Sequence, residues 1–141
     1  MAIKDILSKE NGKIITFYKN GSWWIAYEQS AYCLWQIGEF VPLIKQMKYL
    51  RRNILSIHFH NMILDDIINK LSVYGKVNQE KDRIQVILSK KVSQRGFVNW
   101  KESVCYRGLK ENILAFSLET KTSVEAYQFL RKVQISLNNQ L

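Results

Sequence analysis

The chain has 141 residues, 47% hydrophobic and 23% charged, with a single proline; this suits one compact domain with a core and excludes a disordered chain. No run of about 18 apolar residues occurs, so a membrane span is not expected. The net charge of +9, from 21 Lys+Arg against 12 Asp+Glu, suits a polyanionic partner such as nucleic acid.

Met1–Gly12 is polar and mixed in charge. It reads as a short helical or irregular lead-in and lacks the apolar run of a secretory signal, so a cytoplasmic location is expected. Lys13–Tyr18 and Ser22–Tyr27 read as strands around Asn20-Gly21, two residues that tolerate the positive φ of a type I′ hairpin turn. Trp23 and Trp24 then point to opposite faces, and Trp23, Ile25 and Tyr27 share one face. Glu28–Ile37 reads as a helix, with Ala31, Leu34 and Trp35 at helical spacing and Gly38 as its stop. Pro42 argues against a helix over Phe40–Tyr49, which reads as extended. Arg51-Arg52-Asn53 reads as a turn.

Ile54–Phe59 is a strand. A helix follows, with Asn61 as N-cap, Met62, Ile63, Ile67, Leu71 and Tyr74 as its apolar face, and Gly75 as its end. A strand–helix–strand step leads to Arg83–Leu88. Lys76–Glu80 forms another strand, and Glu80-Lys81-Asp82 turns between the two. Phe97–Leu118 reads as helical, with Trp100, Val104, Leu109, Ile113 and Phe116 as core candidates and Gly108 as a break. Thr122–Glu125 is a capping box opening a last helix with the stripe Ala126, Tyr127, Leu130, Val133, Leu137. The expected fold class is α/β, a mixed β-sheet with flanking helices. Residues 1–92 would be the core, and residues 93–141 a C-terminal helical extension packing on it.

Charge is unevenly spread. Lys76–Lys110 holds nine basic residues (Lys76, Lys81, Arg83, Lys90, Lys91, Arg95, Lys101, Arg107 and Lys110) against three acidic ones. Phe97, Trp100 and Tyr106 are interleaved with them. Cations beside aromatics suit single-stranded or structured RNA, since rings stack on bases while cations follow phosphates. The alternative is a solvated helical face with buried aromatics. Arg51 and Arg52 form a secondary patch.

Catalytic chemistry finds no support. His58 and His60 share a strand face, but two imidazoles do not complete a metal site. Asp65 and Asp66 complement a helix dipole. Cys33 and Cys105 lie far apart and read as buried, reduced thiols. No nucleophilic triad or phosphate loop is present, so neither an enzyme nor a cofactor is expected.

The element order over Lys13–Leu88, and the stretch FYKNGSWWIAYEQSA in particular, resembles the N-terminal mismatch-recognition domain of the MutS DNA-repair family. That domain opens with a motif of the form FYxxGDFYExxxxDA, and Phe17, Tyr18, Gly21 and Ala31 fall in register with it. ILSIHFHNMILDDIINKLSVYG resembles the family's strand, apolar-faced helix and closing glycine. In the family, a phenylalanine wedges into DNA at a mispair and a glutamate two residues on bonds the displaced base. The resemblance places Trp23 at the wedge and Ile25 at the glutamate, and isoleucine accepts no hydrogen bond. Three readings of the Trp23-Ile25-Tyr27 face stay open: core, protein-partner surface or wedge.

Small standalone proteins similar to this domain occur as accessory proteins beside reverse transcriptases of diversity-generating retroelements. The resemblance therefore implies a non-catalytic accessory protein that binds nucleic acid, docked to a reverse transcriptase and its template RNA. The alternative it implies is a structure- or mismatch-specific DNA binder with Trp23 as wedge.

Overall fold

A hairpin starts the sheet. In the computed structural model, which describes residues 3–47, 52–115 and 123–140, β1 (Ile14–Asn20) pairs antiparallel with β2 (Trp23–Tyr27). Asn20 sits opposite Trp23, so the two-residue loop is Gly21-Ser22 and not Asn20-Gly21. Only Gly21 takes a positive φ, +64°, the pattern of a type II′ turn with glycine in its first central position. A short helix, α1 (Ile3–Ser8), precedes the hairpin.

The remaining elements are α2 (Glu28–Ile37), β3 (Leu43–Met47), β4 (Arg52–His60), α3 (Leu64–Leu71), β5 (Gly75–Gln79), β6 (Arg83–Leu88), α4 (Gln94–Ala115) and α5 (Ser123–Gln140). The expected α/β fold, a sheet flanked by helices with more helices at the C-terminal end, is what forms. The strand order is β3-β4-β2-β1-β6-β5. All five pairings are antiparallel, where a mixed sheet was expected. The reason is the reach of the strand–helix–strand step. β4 and β5 run the same way, but β2, β1 and β6 stand between them.

Alternation along the strands builds two faces. Ile15 and Phe17 of β1, Trp24 and Ala26 of β2, Leu55, Ile57 and Phe59 of β4, and Ile84, Val86 and Leu88 of β6 all join the core. Ala31, Tyr32 and Leu34 of α2, Ile67 and Leu71 of α3, and Trp100, Val104 and Cys105 of α4 cover them. Phe17 meets Phe59 edge to face at 5.4 Å, a favoured aromatic geometry. Each such side chain contributes roughly 1.5–3 kcal/mol by leaving water. Cys33 and Cys105 are free and buried. Burial pushes the Cys33 thiol up to about 11 and raises that of Cys105, so both stay protonated and unreactive.

Several local expectations shift. Arg52 and Asn53 are not a turn but open β4, paired with Met47 and Gln46. Asn61 does not cap the following helix. A 3-10 turn, Asn61–Ile63, comes first, and the His60 ring accepts a bond from the Met62 amide at 3.1 Å. Asn61 instead accepts the Trp24 indole N–H at 3.0 Å. That turn rotates the helix, so Leu64, Ile67, Ile68 and Leu71 face inward while Met62 is 86% exposed and Tyr74 is also exposed. The helix ends at Leu71, and Gly75 belongs to β5.

Gly108 does not break α4. A Cβ there would meet the Ile44 side chain at 2.6 Å, so glycine admits the edge strand against the helix. On α5, Ala126, Phe129 and Val133 are half-buried, whereas Tyr127, Leu130 and Leu137 are exposed; the expected stripe is split. The Thr122 half of the capping box and Phe116 lie outside the described residues.

Glu28 joins β2 to α2 at a positive φ of 49°, a conformation that costs a non-glycine residue free energy. Its buried carboxylate holds it there. Oε1 accepts from Lys101 Nζ at 2.6 Å and lies 3.5 Å from Arg52 Nη2.

Candidate nucleic-acid interface

The ends of three strands collect the cations. Leu88 of β6 donates its amide to Lys13 O, Val92 donates to Gly12 O, and Ser89 donates to Tyr74 O, each at 2.9 Å. These bonds draw Lys13, Lys76, Lys90, Lys91 and Arg95 to the one end of the sheet where β1 and β5 begin, β6 ends and α4 starts. All but Lys13 were expected site residues. All five are exposed, and none forms an ion pair among the described residues. Lys13 Nζ reaches only the Ser89 carbonyl, at 3.4 Å.

The other basic candidates stand elsewhere. Lys81 and Arg83 lie at the opposite end of β6, about 17 Å from Leu88 by strand rise. Arg83 is paired with Glu80 at 3.1 Å. Lys101 and Arg52 neutralise Glu28, so their charge is spent inside the fold. Arg107 and Lys110 are exposed on the far half of α4. Arg51 lies outside the described residues.

The aromatics expected beside these cations divide. Trp100 is buried, with its ring centroid 5.3 Å from Tyr32 and 5.8 Å from Trp35, and Phe97 packs on the same cluster. Only Tyr106 is exposed.

The second face of the sheet carries Trp23, Ile25 and Tyr27, but not as a uniform stripe. Trp23 is 49% exposed and touches His60 edge-on at 5.1 Å, whereas Ile25 is 8% exposed and Tyr27 half-buried. Ile6 of α1 is buried on this side and shares a groove with Tyr18, Ile25 and Tyr27. Tyr18 stands between Ile25 on β2 and Arg83 on β6. Burial raises the Tyr18 and Tyr27 phenols above their ordinary range, and the Glu10 charge adds to the effect at Tyr18. Tyr18 was not singled out among the site residues.

His58 and His60 do face the same way, opposite Ile25 and Trp23. His58 lies 3.3 Å from the Ser56 hydroxyl, and burial lowers its pKa. His60 caps the 3-10 turn. Among the described residues no three His, Cys, Asp or Glu side chains gather as metal ligands, and no helix is long and apolar enough to cross a membrane.

Among the described residues, Glu10 is a carboxyl strongly perturbed by burial. It accepts from the Ser30 amide at 3.3 Å and from the Ser30 hydroxyl at 3.1 Å. Desolvation outweighs those bonds and pushes it up to about 7. Its role is to fasten the segment ahead of β1 to the start of α2.

Compared with family models, curated proteins and solved structures, the chain has no match in any of the three.

Proposed function

We propose that the chain is a non-catalytic, cytoplasmic accessory protein that binds nucleic acid through the basic end of its sheet. One observation carries this reading. Lys13, Lys76, Lys90, Lys91 and Arg95 converge from three strand ends and a helix start without a carboxylate partner among the described residues. Unpaired cations drawn to one place are what a phosphate backbone recognises. The resemblance of Lys13–Leu88 to the MutS mismatch-recognition domain supports the finer reading, a protein docked to a reverse transcriptase of a diversity-generating retroelement and to its template RNA.

The test has two parts. Binding of labelled RNA and DNA is measured as salt is raised; engagement of three to five phosphates requires log affinity to fall with log salt at a slope of roughly −2 to −4. Lys90→Ala with Lys91→Ala should flatten that slope by about two. Tagged protein is then recovered from its native cells with and without nuclease. A reverse transcriptase retained after nuclease supports docking, and one lost with the nucleic acid rejects it.

A second reading has its own observation, the exposed Trp23 at the hairpin end. It makes the chain a structure- or mismatch-specific DNA binder with Trp23 as wedge. Preference for mismatched over matched duplex, lost in Trp23→Ala, separates it from the first.

A further inference from the structure

The four longer helices crowd one face of the sheet, and the charges on the other face follow a rule. By strand parity that face holds Lys45 of β3, Lys76 of β5 and Arg83 of β6, with Arg52 of β4 also on it but paired with Glu28. No strand places Asp or Glu on it. The carboxylates beside it come from outside the strands: Glu80 and Asp82 of the β5–β6 turn line its groove, Glu10 acts on Tyr18 through its charge, and Glu28 is taken up by Arg52 and Lys101. A face with basic strand positions and no acidic ones is complementary to a polyanion.

Its centre is aromatic. The Tyr18 and Tyr27 ring centroids lie 6.3 Å apart at 54°. With Ile25 below and Ile6 of α1 beside them, they border a groove of about 540 Å3, within the size range of small-ligand sites. Arg83 closes one side. Its Nη2 is held by Glu80, while its buried Nε has no acceptor among the described residues. Trp23 offers a further exposed ring on the same face.

We propose that Tyr18, Tyr27 and Arg83 form a stacking site for the bases of single-stranded nucleic acid, whose backbone runs on to the basic end of the sheet. The inference rests on the nucleic-acid reading above and names its substrate class. Bases are favoured inside the groove because Glu80 and Asp82 line it too and repel phosphate there. A single strand is favoured because a duplex keeps its base faces stacked on one another, out of reach of protein rings.

The test uses the full chain and fluorescence anisotropy at one fixed salt concentration. The probes are a labelled ten-nucleotide single strand, its duplex, and an abasic strand of the same length. The intact single strand should bind at least about tenfold tighter than the other two. Tyr18→Ala with Tyr27→Ala should weaken it by roughly ten- to a hundredfold, on the scale of lost base–aromatic stacking. The Tyr18→Phe, Tyr27→Phe pair keeps the rings and should retain the affinity. Lys90→Ala with Lys91→Ala should weaken intact and abasic strands alike. Abasic and intact strands binding equally would overturn the stacking site while leaving the phosphate interface standing, and the abasic comparison needs no variant to fold. Failure of every probe to bind would overturn both.

Discussion

The two faces of the sheet are made from the same strands and share every turn, yet adjacent residues have opposite fates. Phe17 is fully buried against Phe59, and Tyr18 beside it borders a groove open to solvent. Trp24 is buried and gives its indole N–H to Asn61, while Trp23 stands out in water. On the first face the work is burial of apolar area, and few polar atoms intrude. On the second, rings and cations remain available because one short helix, α1, covers it in place of four. The difference teaches that stability and recognition are separated here by strand parity and not by position along the chain.

The most forceful way to break that comparison is to truncate one ring on each face. Phe17→Ala should cost about 3–5 kcal/mol in urea unfolding, as loss of a large, fully packed aromatic does. Tyr18→Ala should cost roughly 1–2 kcal/mol, because its ring is only half-buried. Equal losses would mean that the two faces contribute alike to the fold.

The margin between the faces is tested by pH. Burial lifts the Glu10 carboxyl from 4.5 to about 7, so the folded state binds that proton more tightly than the unfolded chain. Its contribution to stability is complete below about pH 4.5 and fades as pH rises through 7. Unfolding free energy should fall by about 2–3 kcal/mol over that window, and Glu10→Gln should remove most of the slope.

A smaller effect is expected where the faces meet at Glu28. Glu28→Gln removes the charge that Lys101 and Arg52 share. Both cations are partly exposed and can return to water, so the loss should be about 1–2 kcal/mol, less than for a fully buried pair. The smallest change is Gly108→Ala on α4. The new methyl meets the movable end of Ile44, and alanine favours the helix by up to about 1 kcal/mol. A melting temperature within a few degrees of the parent is expected, and a large drop would show that β3 cannot yield to α4.

Much of this was legible in the sequence where a single element decides its own form. The limits of α2 and β6 follow from a glycine stop and a short apolar run, and the alternation of β4 is plain in ILSIHF. The turn was placed one residue early for a definite reason. Moving a two-residue loop from Asn20-Gly21 to Gly21-Ser22 keeps Phe17 and Trp24 on one face and Trp23 on the other, so hydrophobic patterning is blind to it. The start of α3 was misread because a 3-10 turn breaks the 3.6-residue phase, and a histidine cap has no strong sequence signature. At the candidate interface, seven of the nine basic residues from Lys76 to Lys110 are exposed, yet their grouping depends on the β1–β6 pairing. No local pattern announces that pairing, so Lys13 was missed and Lys101 was counted as free.

The β1–β6 ladder also sets an order of events for the growing polypeptide. β1 finds β2 at once across a two-residue loop, but its other edge waits for Ile87 to meet Ile14 and Arg83 to meet Tyr18. At ribosomal speeds of about 5–20 residues per second, that wait lasts roughly 3–15 seconds. During it the nascent hairpin shows a bare row of amides and carbonyls beside Ile15 and Phe17, a template for pairing with another unfinished chain. Lys13 and Lys19 flank that row, where charge repels such pairing. Lys13 thus guards an unfinished edge before it serves a finished surface.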